Sequence, residues 1–321
     1  MEEIDIAIIG AGPTGLATAI EAHRRGFTYR VFDRGCITNS ILGFPTHMVF
    51  FTTPELLEIG GIPLTSDREK PTRNEALKYY RKVVGSAGIR VNQYEEVQQI
   101  AATDTHLFRV ETSRGHYEAK NIVIATGYYD NPNMLGIPGE DLPHVSHYYT
   151  EPYSFFDRDV VIVGGKNSAA EAALDLFRGG ARVTLIHRGA EMGSTLKYWV
   201  RPDIENRIKA GEVRAFFNSL VKEITPLTVE ILQSGTPHSI PAQQVFLLTG
   251  YRCSTKFFHQ LGVKYDPETL RPQHNTETYE TNVPGVYLAG SVTAGKLNAE
   301  VFIENGRFHG ERVVQAIANE S

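Results

Sequence analysis

The sequence predicts an α/β protein made of two Rossmann-like, three-layer domains, and two observations carry that reading. A strand, a Gly-rich turn, a helix and a second strand open the chain, and the same unit returns near its middle. At 321 residues the chain is long enough for two domains that each bury a core.

In the first unit Ile4–Ile9 is a short apolar strand and Gly10–Gly15 a turn. Leu16–Arg25 is a helix with small and apolar residues on one face, ended by Gly26, and Tyr29–Phe32 is the next strand, closed by Asp33. In Gly10-x-Gly12-x-x-Gly15, Gly10 permits the tight turn, Gly12 lets backbone approach a pyrophosphate, and Gly15 lets helix and strand pack closely. The helix N-terminus offers unpaired N–H groups and partial positive charge to phosphates. Asp33 can accept hydrogen bonds from adenosine ribose hydroxyls. A turn that served packing alone would leave Asp33 unexplained, so the unit is expected to bind a nucleotide.

In the second unit Asp159–Val163 is a strand, Gly164-Gly165-Lys166-Asn167-Ser168-Ala169 a turn, Ala170–Arg178 a helix ended by Gly179-Gly180, and Arg182–Ile186 the following strand. Here Lys166 replaces the middle glycine. Its Cβ restricts backbone approach to a pyrophosphate, and its ammonium could contact the phosphates instead. His187-Arg188 closes the strand where an NADH site usually carries a carboxylate. A guanidinium there suits a 2′-phosphate, and Lys197 and Arg201 follow nearby, so NADPH is expected. The competing readings are a second unit kept only as scaffold, and Arg188 as a surface ion pair.

Thr72 and Glu75 have capping-box spacing before a helix to about Ser86. Gly115–Thr126 reads as a hairpin strand, Gln244–Leu248 and Gly285–Gly290 as further strands, and Glu300–Ala318 as one C-terminal helix, with crossings between domains near Gly127 and Gly250. The net charge of −5 without like-charge blocks argues against nucleic acid or an anionic membrane as partner. No apolar run spans a bilayer, and the first strand starts too early for a signal peptide, so a cytoplasmic location is expected. Cys36 and Cys253 are the two cysteines, and no Cys-x-x-Cys exists. His144 and His147 lack ligand company, so no metal is assigned.

The order Gly10-Ala11-Gly12-Pro13, Ala125-Thr126-Gly127, second turn, Leu248-Thr249-Gly250, Tyr287-Leu288-Ala289-Gly290 resembles the thioredoxin-reductase-like flavoproteins over almost the whole chain. The stretches Phe50–Gly60, Gly164–Ala169 and Phe302–Gly310 resemble the bacillithiol-disulfide reductase family, the YpdA-type flavoproteins. The resemblance implies an FAD domain over 1–128 and 250–321, split by an inserted NADPH domain over 129–249. It implies NADPH-dependent reduction of a low-molecular-weight disulfide, bacillithiol disulfide, by hydride transfer through FAD, in a homodimer or homotetramer. Lys166 is then a family trait.

Carried over by position, Gly10, Gly12, Pro13, Thr14, Gly15, Asp33 and Arg34 hold the FAD phosphates and ribose. Asn39, Ser40, Thr46 and His47 run beside the flavin, Val97 contacts adenine through its backbone, and Thr126 and Gly127 cover the cofactor. Gly290 and Ser291 form the last FAD motif, with Ser291 where thioredoxin reductases carry Asp, and a helix near Phe302 and Ile303 directs N–H groups at the flavin pyrimidine. Gly164, Gly165, Lys166, Asn167, Ser168, His187, Arg188 and Lys197 belong to NADPH. Many members have Cys where this chain has Thr14, and threonine forms no mixed disulfide. The candidates for chemistry are therefore Thr14, Cys36 (a thiol near FAD, or a small buried hydrophobe) and His309 (a proton donor to a leaving thiolate, or a helix-packing histidine). Cys253 reads as structural. The alternatives are a ferredoxin- or flavodoxin-type NADP reductase taking a small redox protein as partner, a flavin monooxygenase, and a flavin-binding redox sensor without turnover.

Overall fold

A computed structural model describes residues 2–297 and 299–320. The chain forms two compact units, one of residues 1–43, 48–131 and 251–321, the other of 44–47 and 132–250. The crossings lie at Asn131–Pro132 and Gly250–Tyr251, the first a few residues beyond the Gly127 crossing expected from sequence.

The first unit is built on a seven-stranded sheet. Strands Val91–Asn92, Tyr29–Phe32, Glu2–Ile9 and His116–Ile124 are parallel neighbours in that order, and Val286–Leu288 joins the far side of the C-terminal end of His116–Ile124 in parallel. On that far side the N-terminal end of His116–Ile124 pairs antiparallel with Phe108–Thr112, which pairs with Val97–Ala102. The parallel strands are runs of β-branched residues: Ile6, Ile8, Val31, Ile122, Val123 and Val286 are all fully buried. Covering a parallel sheet on both faces demands such runs, and each side chain so buried is worth about 1.5–3 kcal/mol. The helix Pro13–Arg24 packs along the strand Glu2–Ile9 and the last helix, His309–Glu320. Thr72 caps Arg73–Ser86, with Glu75 answering its backbone N–H at 2.7 Å, as the spacing predicts.

The continuous helix expected over Glu300–Ala318 is instead two. A single turn, Ile303–Gly306, stops, and the chain restarts at His309–Glu320. The break has local causes. Gly306 and Gly310 weaken a helix, and the Arg307 guanidinium donates to the Glu55 and Glu58 carbonyls at 2.5 and 2.8 Å, which holds the junction to another segment. Gly310 also seats the last helix against Thr18, where a Cβ would lie 2.6 Å from the Thr18 nitrogen.

The second unit has an all-parallel sheet in the order Arg214–Phe216, Arg182–Ile186, Asp159–Val163, Gln244–Leu247, Val145–Ser146. Helices Asn167–Arg178 and Arg201–Lys209 belong to this unit, and the first packs Ala169, Ala173 and Leu176 into the core. A separate antiparallel sheet of Ser219–Ile224, Thr228–Gln233 and Thr236–Pro241 packs Ile224, Val229, Ile231 and Ile240 on the opposite side, against Val161, Val163 and Val245.

Candidate active site

The first turn is set by packing at two of its three glycines. Gly10 has φ +112°, and a Cβ there would lie 2.5 Å from the Ala125 carbonyl oxygen. At Gly15 a Cβ would lie 1.9 Å from the Gly10 carbonyl oxygen. At Gly12 the same atom would meet no protein atom within 4 Å. The protein requires glycine at 10 and 15 and imposes nothing at 12, which fits a residue kept small for a ligand. Pro13 opens the helix and no acidic residue sits in its first turn, so the N-terminal field is left positive.

Asp33 binds the turn to the loop after it: Oδ2 accepts from the Ala11 N–H and Oδ1 from the Gly35 N–H, both at 2.8 Å. Burial raises its pKa against the pull of those two amides. A carboxylate has about four acceptor positions, so two stay open for ribose hydroxyls. Arg34 points to Asp130 at 3.0 Å. Asn39 begins the short helix Asn39–Leu42, which includes Ser40, and its side chain covers Gly35 so closely that a Cβ there would be 2.3 Å from Oδ1. Thr38, just before, ties this helix to the turn through its N–H to the Ala11 carbonyl at 2.9 Å.

Distant segments converge on the same turn. Thr126 lies beside Gly10, and its buried Oγ1 has no partner among the described residues. An unpaired buried hydroxyl is costly, which again fits a polar ligand at this place. Gly127 faces Ser291, whose Oγ would lie 3.6 Å from a Cβ there. Gly290 and Gly306 both press on Thr14, with added Cβ atoms 2.9 and 3.3 Å from its Oγ1. Thus Gly10, Gly12, Thr14, Thr126, Gly127, Gly290, Ser291 and Gly306 form one site from four separated stretches. Phe302 and Ile303 start the single-turn helix, but the Phe302 N–H goes to Asn305 Oδ1 at 2.8 Å, and four residues make a weaker dipole than the long helix expected.

The candidates for chemistry fare unequally. His309 is 7% exposed, accepts the Gly290 N–H at Nδ1 (3.1 Å) and stacks on Tyr279 with centroids 4.1 Å apart. Burial, then Arg312 and His274, lowers its pKa to about 4. It therefore stays neutral and accepts rather than donates toward Gly290. Burial and the Asp33 charge raise the pKa of Cys36, the opposite of an activated thiol. Cys253 is 1% exposed with its pKa pushed up to about 11, an inert core residue. Val97 is buried and its carbonyl accepts from Lys256 Nζ at 3.4 Å. Thr46 and His47 belong to the second unit, where the Thr46 N–H donates to Thr150 O at 2.8 Å and the His47 ring meets Tyr153.

The second turn repeats the first in detail. The Gly10 N–H donates to Phe32 O at 2.8 Å, and the Gly164 N–H to Ile186 O at 3.0 Å. A Cβ at Gly164 would lie 2.6 Å from Leu248 O, the counterpart of Ala125. Lys166 is exposed and extended (φ −110°, ψ −169°) at the helix N-cap, as Gly12 is in the first turn. Gly165 is forced for another reason: a Cβ there would be 2.4 Å from the His187 ring. Burial and Arg188 lower the His187 pKa, so a neutral ring lies over the turn. Arg188 is exposed and makes no ion pair among the described residues, and Ser168 is exposed at the helix start. Lys197 differs from expectation: its ammonium sits 2.7 Å from Glu171 Oε1, so its charge is partly neutralised.

Sequence reasoning missed Glu95. Its buried carboxylate accepts from Thr112 Oγ1 (2.7 Å), Tyr117 OH (3.2 Å) and Asn92 Nδ2 (2.9 Å), while its N–H donates to Asp33 O at 2.8 Å. It supports the position of Asp33. The one local signal is a charged residue beside an alternating strand, and its partners come from three other segments.

Residues 7–290 match the family model for pyridine nucleotide-disulphide oxidoreductase. The chain is 45% identical over 313 residues to bacilliredoxin reductase Bdr of Bacillus subtilis (strain 168), covering 97% of this chain and 96% of that one. Its fold matches the solved bacillithiol disulfide reductases Bdr (YpdA) of Bacillus cereus (43% identity, TM-score 0.97) and Staphylococcus aureus (38%, TM-score 0.96), each over 100% of both chains. The alternatives of a ferredoxin-type reductase and a monooxygenase are less supported by these likenesses. No helix among the described residues is long and apolar enough to cross a membrane. With two dinucleotide-type units, the features above that fit FAD, and NADPH as reductant, the chain belongs to the pyridine nucleotide-disulphide oxidoreductases and, within them, to the Bdr (YpdA) flavoproteins.

Proposed function

We propose that this enzyme reduces bacillithiol disulfide with NADPH, holding FAD in the discontinuous unit of residues 1–43, 48–131 and 251–321 and NADPH in the unit of 44–47 and 132–250. The overall conversion takes one NADPH, one proton and one disulfide to NADP⁺ and two thiols. Bound FAD supplies the two-electron relay between nicotinamide and disulfide. The observation that carries the assignment of cofactors is the contrast at the middle of the two turns, Gly12 against Lys166. The open Gly12 backbone and the unpaired Thr126 hydroxyl suit the FAD pyrophosphate, and Asp33 suits its ribose. Lys166, neutral His187 and free Arg188 suit a dinucleotide with an extra phosphate.

No thiol in the chain is poised for exchange: Cys253 is buried, the Cys36 pKa is raised, and Thr14 carries a hydroxyl. The disulfide is therefore reduced without a protein mixed disulfide, and the protein's part is to bind, orient and exclude water. The enzyme acts in the cytoplasm as a homo-oligomer. The test is anaerobic reduction of the purified holoenzyme by NADPH, then mixing with bacillithiol disulfide or with oxidised ferredoxin. Reoxidation by the disulfide supports the reading; reoxidation by ferredoxin alone overturns it.

A further inference from the structure

The chain's single tryptophan stands on a loop that the second turn holds in place. Gly193 donates its N–H to Gly165 O at 2.8 Å. Asn167, the first residue of the turn's helix, bridges the same loop twice: Nδ2 donates to Thr195 O at 3.2 Å and Oδ1 accepts the Lys197 N–H at 2.9 Å. Arg201 Nη2 donates to Gly193 O at 2.7 Å. Met192, Leu196 and Val200 anchor the loop in the core at 2, 6 and 6% exposure. Against that fixed frame Tyr198 and Trp199 are left 83 and 48% exposed, their rings perpendicular with centroids 4.8 Å apart. Lys197 Nζ, bound to Glu171, lies 5.6 Å from the Trp199 ring centre.

An aromatic pair held on an anchored loop offers a flat, preorganised face on which a planar ring can stack. This loop leaves the end of strand Arg182–Ile186, where the adenosine ribose is read in such units, and returns to the phosphate turn. We infer that Tyr198 and Trp199 form an aromatic platform for the adenine half of NADPH, with Lys197 as a positioning residue that sets the Trp199 ring. A purine offers a π-face to such a ring whatever its hydrogen-bonding edge does, and base–aromatic stacking contributes appreciably to affinity. Lys197 thus acts through Trp199 rather than as a phosphate ligand, which accounts for its pairing with Glu171. The inference rests on the placement of NADPH at the second turn.

Because Trp199 is the only tryptophan, its emission in the wild-type holoenzyme reports the platform directly. Emission and its quenching by acrylamide are measured without ligand, with NADP⁺, and with adenosine 2′,5′-bisphosphate. Both ligands are expected to change the emission and to shield the ring. Trp199→Leu is expected to raise the KM for NADPH roughly tenfold at unchanged kcat, and Trp199→Phe to restore most of it. Unchanged shielding with saturating adenosine 2′,5′-bisphosphate, or a Trp199→Leu KM within about twofold of wild type, overturns the inference. Arg188→Glu is the reference. If it raises the KM while Trp199 stays silent, the platform alone falls; if neither responds, the placement of NADPH falls with it.

Discussion

The two Gly-rich turns are the same backbone device with opposite chemistry at two points. In both, the first glycine is fixed by a strand carbonyl, Ala125 O for Gly10 and Leu248 O for Gly164. In both, the third residue after the middle position packs the helix onto its strand, as Gly15 where the fit is tightest and as Ala169 where a methyl is accommodated. They part at Gly12 and Lys166, which carry no packing demand of that kind, and at Asp33 and His187, which close equivalent strands. The neighbouring residue differs too: Ala11 carries a buried methyl and gives its N–H to the Asp33 carboxylate, and a Cβ at Gly165 would meet the His187 ring. The first glycine, which packing fixes, is common to both turns, and the middle residue, which packing leaves free, differs.

The largest test of this contrast is Gly12→Val. An added Cβ there meets no protein atom within 4 Å, so the variant is expected to fold with the melting profile of flavin-free wild type and lose essentially all flavin, read as flavin absorbance per polypeptide. A fully yellow variant would contradict the account. Next comes Arg188→Glu, which replaces a free guanidinium and should cost about 1.5–3 kcal/mol in kcat/KM for NADPH, with flavin content unchanged and NADH use little altered. Equal losses for both nucleotides would take Arg188 out of the 2′-phosphate site.

A comparable effect is expected from His309, whose pKa falls from 6.5 to about 4 on folding. The unfolded chain binds the proton first as pH drops, so stability is full above pH 6.5 and is lost between pH 6.5 and about 4. The loss is about 2 kcal/mol by about pH 5. Denaturant midpoints against pH should show it, and His309→Gln should flatten the slope. Lys166→Gly should have the smallest effect, on the order of 1 kcal/mol on NADP⁺ binding and none on flavin content. A variant that binds NADP⁺ more tightly would show that the Lys166 side chain obstructs the phosphates.

Both units were legible because strand runs such as Ile4–Ile9 and Asp159–Val163 sit directly before Gly-rich turns, so periodicity and turn chemistry agree. The Thr72–Glu75 cap was legible for the same reason: its signal is local. The C-terminal break was not, since the contacts that make it, Arg307 to Glu55 and Glu58 and Gly310 to Thr18, come from far along the chain. Nor were the roles of His309 and Glu95, because burial sets them and their partners lie in other segments. The antiparallel sheet of Ser219–Pro241 was missed although Ser234-Gly235 stands as a two-residue turn between its last two strands, because those strands are short and mixed in polarity. The pairing of Lys197 was not legible either, because sequence shows its charge and hides Glu171.

The central claim is that each turn holds its own dinucleotide. It is tested most directly by calorimetric titration of FAD into flavin-free protein and of NADP⁺ into holoenzyme, for wild type, Gly12→Val and Arg188→Glu. The account predicts a double dissociation: Gly12→Val abolishes FAD binding, and Arg188→Glu weakens NADP⁺ while leaving FAD affinity unchanged. Loss of FAD affinity in Arg188→Glu, or normal FAD affinity in Gly12→Val, would contradict it.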